Sequence, residues 1–159
     1  MKTAPFATSV VLDHPGATRA LANLIAMGLR RGCAVTLEGD LGAGKTTLAR
    51  GILQALGVTE EVPSPSFTLV QTYETRVFSV FHYDLYRIEN VQELRELALE
   101  DALADGVALI EWPERLAEWP EDTLRVRLVI VSEGVRRADI SGPARWAEIL
   151  ASEVDGQRG

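Results

Sequence analysis

Ala34-Val35-Thr36-Leu37-Glu38-Gly39-Asp40-Leu41-Gly42-Ala43-Gly44-Lys45-Thr46-Thr47-Leu48 is the stretch on which the fold turns. Residues 34–37 are apolar or β-branched and read as a short buried strand, preceded by Cys33. From Lys45 to Leu56 the apolar positions recur at helical spacing, and Gly57 stands where helices commonly end in a left-handed residue. Between strand and helix lies Gly39 to Thr46, with the spacing G-x-x-x-x-G-K-[ST]. Glycines at 39, 42 and 44 allow backbone N–H groups to turn inward around phosphate oxygens, and the helix N-terminus favours an anion there. Lys45 is then placed to reach β- and γ-phosphates, and the Thr46 hydroxyl to ligate Mg²⁺. Asp40, Leu41 and Ala43 complete the loop, and Thr47 is a further candidate for phosphate contact. A glycine-rich turn that matches by chance is the alternative, opposed by the strand before it and the helix after it.

Outward from this loop, Phe6 to Leu12 reads as a first strand, and Asp13-His14-Pro15 as a helix start with proline in the first turn. Ala17, Ala20, Leu21, Leu24, Ile25 and Leu29 mark the buried face of that helix. Val62-Pro63-Ser64-Pro65-Ser66 is a stiff connection, because each proline restricts itself and its predecessor. Thr68 to Thr75 and Val77 to Asp84 read as paired strands joined by a tight turn. Asn90, with Glu93, forms a capping box for a helix from about Val91 to Ala104 that breaks once. Val107 to Ile110 and Leu124 to Ser132 read as strands, Arg137 to Ser141 as a short one, and Ala144 to Ser152 as a closing helix before a frayed end. The expectation is one domain over residues 1–159. Its fold class is α/β, a three-layer sandwich with a mixed, mostly parallel central sheet.

Composition narrows the function classes. The 159 residues carry 23 acids against 16 bases, a net charge of −7, which argues against a protein that grips a nucleic-acid backbone by itself. Arg30-Arg31 and Arg136-Arg137 are basic pairs and no more. One cysteine and two histidines exclude an internal disulfide framework and Cys- or His-rich metal sites. No apolar run approaches the ~20 residues of a membrane span, so a cytoplasmic protein without membrane contact is expected. Fourteen of the bases are arginine, and the two lysines are Lys2 and Lys45. The single internal lysine thus falls in the phosphate loop, where a compact ammonium fits between phosphates better than a planar guanidinium.

Nucleotide chemistry also requires an acid for the metal and a group that orients the nucleophile. Two acids lie where strands end, the usual position for ligands of an α/β sheet. Asp84 follows Val80-Phe81-His82-Tyr83, and Glu111 follows Val107-Ala108-Leu109-Ile110. Periodicity does not choose between them, and either could instead form an ion pair, as Asp84 could with Arg87. Arg87 is equally a candidate phosphate contact. His82 reads as a packed histidine rather than a base, and Trp119 and Trp146 as packing residues.

Four segments together resemble the TsaE (YjeE) family of small bacterial ATPases. They are Gly39 to Leu48, Val62-Pro63-Ser64-Pro65-Ser66-Phe67, His82-Tyr83-Asp84-Leu85-Tyr86-Arg87 and Ile110-Glu111-Trp112-Pro113-Glu114. Their order and spacing match as well, over roughly residues 16 to 116. The resemblance implies a P-loop NTPase-like fold, ATP and Mg²⁺ as cofactors, and slow hydrolysis in support of threonylcarbamoyladenosine formation on tRNA. It implies TsaB and TsaD as partners, with tRNA met only through that complex. Asp84 and Glu111 carry over as acids of the nucleotide and metal site, and Trp112 as an aromatic needed for activity. By the same resemblance Thr18 and Arg19 fall near the adenine. One departure stands out: the family's Ser-Pro-Thr-Phe has Ser66 as its third residue here, which keeps a hydroxyl for metal, water or γ-phosphate but loses a methyl. A small-molecule kinase and a nucleotide-dependent binding module without chemistry are the competing classes. The scattered arginines and the lack of a lid insertion count against the kinase.

Overall fold

The computed structural model describes residues 5–63, 65, 69–90, 92 and 97–151. Seven strands occur among these residues: β1 (Phe6–Leu12), β2 (Ala34–Glu38), β3 (Val70–Glu74), β4 (Ser79–Asp84), β5 (Gly106–Glu111), β6 (Thr123–Ser132) and β7 (Val135–Gly142). They form one sheet in the order β1-β7-β6-β2-β5-β4-β3. The four central strands, β6, β2, β5 and β4, run parallel, and antiparallel strands flank them on both sides. The α/β class and the mixed sheet with its parallel centre are as expected from the sequence.

Burial explains the arrangement. Every residue of β2 and β5 is buried, as strands covered on both faces require. On one face lie α1 (Pro15–Gly28) and α2 (Lys45–Ala55), which pack Leu21, Ile25, Leu48 and Ile52 against Val35, Leu37, Leu109 and Val126. A helical turn over 146–151 joins this layer, and the fully buried Trp146 ring lies against the Gly28 backbone. On the other face Leu85, Ile88 and Ala102, the last from α3 (Leu99–Asp105), cover Tyr83, Ala108 and Ile110. In β6 the buried Leu124, Val126 and Leu128 alternate with exposed Arg125 and Arg127, so this second face lies open toward β7 and β1.

Local starts follow the sequence closely. His14 caps α1, its Nδ1 accepting from the Ala17 amide at 3.1 Å, and Pro15 is the first helical residue. Ala98 is left-handed, with φ of 49°, which accounts for a break before α3. Val91 and Glu93, on which the capping box rests, lie outside the described residues, as do Ser66, Thr68 and the end after Ala151. The short strand expected over Arg137 to Ser141 is eight residues long and pairs with both β1 and β6. A two-residue loop, Glu133-Gly134, turns β6 directly into it. Arg137 lies on the uncovered face, but Arg136 shares a face with the buried Ala138 and Ile140 and so obscures the start of that strand.

Candidate functional site

The chain leaves β2 at Glu38, crosses Gly39 to Gly44, and enters α2 at Lys45. Gly39 and Gly42 have φ of 146° and 82°, conformations that a side chain strains. A Cβ at Gly39 would also stand 2.6 Å from the Leu128 carbonyl oxygen, so β6 is pressed against the start of the loop.

Lys45 is buried and folds back over the loop. Its Nζ donates to the carbonyl oxygens of Gly39 at 2.6 Å and Asp40 at 3.0 Å. It also lies 4.2 Å from the centroid of the Trp112 ring, a cation–π distance. Burial lowers the Lys45 pKa from its ordinary value, opposed by the nearby carboxylates of Glu111, Glu114, Asp84 and Asp40.

Thr46 reaches the opposite way. Its hydroxyl donates to Glu111 Oε1 at 2.8 Å, tying the first turn of α2 to the end of β5. The second carboxylate oxygen, Oε2, lies 2.6 Å from His82 Nε2. Parallel pairing puts Asp84 of β4 directly beside Glu111 of β5. Asp84 Oδ1 accepts from the Tyr86 amide at 3.0 Å. The structure therefore gathers Lys45, Thr46, Asp84, Glu111 and Trp112 at the carboxyl end of the parallel strands, where open α/β sheets place their ligands.

Trp112 has φ of 60°, an uncommon conformation for a residue with a side chain. Its amide donates to the Leu37 carbonyl at 3.3 Å, and its ring lies 4.8 Å from that of Tyr86. Arg87 is exposed on the turn that follows. Of the 62–66 segment, the described part shows Arg50 Nε donating to the Val62 carbonyl at 2.6 Å. Ser66 itself lies outside the described residues.

Beside the loop opens a cavity of about 660 Å³. Thr18, Arg19, Gly42, Gly44 and Thr47 line it, so the pair expected beside a base adjoins the loop. Two further lining residues, His14 and Arg136, were not candidates from the sequence. Arg136 Nη2 donates to the Gly42 carbonyl at 3.2 Å, a contact 94 residues apart in the chain that no local pattern announces. His82 is the other omission. It is packed as expected, with no exposed surface, yet it is bonded to a candidate site carboxylate.

Comparison with known proteins gives a consistent result. The family model described as "Threonylcarbamoyl adenosine biosynthesis protein TsaE" matches residues 12–138. The tRNA threonylcarbamoyladenosine biosynthesis protein TsaE of Rickettsia felis is 39% identical over 133 residues, covering 82% of this chain and 78% of that protein. Its Bacillus subtilis counterpart is 35% identical over 143 residues, 89% of each chain. Among solved structures, YdiB of Bacillus subtilis superposes with a TM-score of 0.76 at 28% identity, covering 99% of this chain and all of that one.

Proposed function

The chain belongs to the TsaE family and so to tRNA threonylcarbamoyladenosine biosynthesis, and from that premise we propose that it is a P-loop ATPase. It binds and slowly hydrolyses Mg-ATP in the cytoplasm, in complex with TsaB and TsaD. The observation that carries this reading is the 2.8 Å hydrogen bond from Thr46 to Glu111, which joins the loop's hydroxyl to an acid at a neighbouring strand end.

The donor set suits Mg²⁺. A hydroxyl and carboxylates are hard oxygen ligands, and Mg²⁺ commonly takes only one or two groups from the protein and the rest from phosphate and water. Among the described residues no cluster of three or more His, Cys, Asp or Glu forms a self-sufficient metal cage. Thr46 with Glu111, and Asp84 beside them, would hold the ion, which neutralises charge on the phosphates when bound. The loop amides from Gly39 to Thr47 cradle the phosphates, and Lys45 exchanges its carbonyl partners for phosphate oxygens. Glu111 or Asp84 would then position the attacking water, directly or through the metal. The cavity bordered by Thr18 and Arg19 receives the nucleoside.

The Ser66 hydroxyl serves metal, water or γ-phosphate, and Trp112, with Arg87 next to its ring neighbour Tyr86, links the site to the partners. The net charge of −7 agrees with a division of labour in which partners handle the tRNA. The test is ATP hydrolysis and nucleotide affinity measured with and without the TsaB–TsaD pair. Binding in both cases, with turnover raised by the partners, is the expected result. An equal and high rate in both would overturn partner dependence, and absence of nucleotide binding would overturn the ATPase reading.

A further inference from the structure

His82 stands inside the fold at 0% exposure, between Phe81 and Tyr83 on the strand that ends at Asp84. Burying an imidazole costs free energy that a hydrocarbon side chain of similar volume would avoid, so its polar contact has to account for its presence. That contact is a side-chain carboxylate, Glu111 Oε2, at 2.6 Å, on the neighbouring strand and 29 residues away. The register explains the reach. His82 pairs with Leu109 and Asp84 with Glu111, so His82 and Glu111 are diagonal neighbours, two residues out of step. A carboxylate that is ionised only accepts, and the hydrogen of such a bond then sits on Nε2. His82 Nδ1 has no hydrogen-bond partner among the described residues, which leaves Glu111 as the polar group the ring serves.

The two oxygens of Glu111 are thereby divided. Oε2 takes His82 and Oε1 takes Thr46 at 2.8 Å, each with one donor. A glutamate has three rotatable side-chain bonds and, held at one oxygen alone, could swing away from the loop. We propose that His82 is a positioning residue that fixes the Glu111 carboxylate on the Thr46 hydroxyl. Its kinetic consequence rests on the ATPase reading above, whereas the hydrogen bond itself does not. Outer partners that orient a ligand or catalytic carboxylate are typically worth about 10–100-fold in metal affinity or activity.

The experiment compares wild type with His82→Leu, which fills the space without a donor, and His82→Gln, which keeps an N–H near the Nε2 position. Turnover, ATP KM, Mg²⁺ half-saturation and the affinity for a fluorescent ADP analogue without metal are read for each. His82→Leu is expected to lose about 10–100-fold in turnover or Mg²⁺ half-saturation while metal-free ADP affinity holds, and His82→Gln to recover most of that loss. Equal losses in the two variants, or none in His82→Leu, would overturn the proposal. Imidazole ¹⁵N spectra of the ligand-free wild type give an independent arm that needs no active variant. His82 should show a protonated Nε2 with a far-downfield proton that shifts in Glu111→Ala. A protonated Nδ1 instead, or no response to Glu111→Ala, would overturn the proposal. If the wild type neither binds nor hydrolyses ATP, the ATPase reading fails by itself and the spectra still decide the role of His82.

Discussion

Alanine substitution along the loop from Gly39 to Gly44 should be graded by geometry rather than uniform. At Gly39 two costs combine: φ of 146°, and a Cβ 2.6 Å from the Leu128 carbonyl oxygen and 3.0 Å from the Ala43 Cβ. At Gly42 φ is 82° and nothing lies within 4 Å, so strain is the whole cost. A residue with a side chain in the left-handed region loses about 1–2 kcal/mol. Far from that basin, where Gly39 sits, the strain is about 1–3 kcal/mol before any steric term. The obstructing oxygen belongs to a paired strand and cannot rotate aside as a side chain would. Gly42→Ala should therefore cost about 1–2 kcal/mol. Gly39→Ala should cost about 2–6 kcal/mol, once overpacking of about 1–3 kcal/mol is added. At about 2–4 °C per kcal/mol for a chain of this size, the midpoints should fall by about 2–8 °C for Gly42→Ala and about 4–24 °C for Gly39→Ala. Calorimetry and circular dichroism in ligand-free buffer, with chemical denaturation as a check, measure the difference. Equal midpoints for the two variants, or a larger loss at Gly42, would refute the claim that β6 presses on the loop at Gly39.

Trp146→Ala removes a fully buried indole between α1 and the sheet and should cost about 3–5 kcal/mol by denaturant titration, without changing metal-free nucleotide affinity. Lys45→Met should abolish nucleotide binding by calorimetric titration while leaving the folded state at least as stable near neutral pH, because burial disfavours the ammonium. The pH dependence has a definite sign. Between the lowered folded pKa of Lys45 and its ordinary 10.5 the unfolded chain binds more protons, so wild-type stability gains on Lys45→Met as pH rises through that window. On the acid side, hydrogen bonds from Arg137 and Ser9 hold Asp139 below its ordinary 3.8. Its contribution is present above that value and is lost as pH falls through the folded one, so Asp139→Asn should flatten a small part of the acid unfolding profile. A double-mutant cycle of Thr46→Val and Glu111→Gln in urea unfolding should return a coupling of about 0.5–3 kcal/mol, and a zero coupling would count against the bond joining α2 to β5.

What the sequence made legible and what it concealed divide along chain distance. The loop, its strand and its helix are contiguous, so spacing alone locates Lys45 and Thr46. Asp84 and Glu111 are each visible as an acid that ends an apolar run, but their adjacency depends on β4 and β5 pairing in parallel, which neither segment encodes by itself. His82 was legible as a packed histidine. Its bond to Glu111 was not, since it follows from the same register and spans 29 residues. Arg136 was counted only as half of a basic pair too small to hold nucleic acid. Its bond to Gly42 requires the β6–β7 hairpin to fold back beside the loop. β7 was underestimated because Arg136 falls on the same face as the buried Ala138 and Ile140, where alternation would demand an apolar residue, and so hides the start of the strand.

The single internal lysine shows how these contacts fit one purpose. A buried ammonium is held by two carbonyl oxygens and an aromatic face, all groups that bear partial rather than full negative charge. Two of the formal negative charges around it, Glu111 and Asp84, are engaged elsewhere, by Thr46 and His82 in one case and by the Tyr86 amide in the other. Had either carboxylate paired with Lys45 directly, an anionic ligand would have to break a buried ion pair, and removing one partner from such a pair costs about 3–5 kcal/mol. Carbonyl partners and a cation–π contact are weaker and can be exchanged for phosphate oxygens at little cost. His82 contributes to the same end by engaging the Glu111 oxygen that Thr46 does not, so the carboxylate is satisfied without the lysine. On the ATPase reading proposed above, a buried lysine held only by such partners can turn from them to phosphate oxygens.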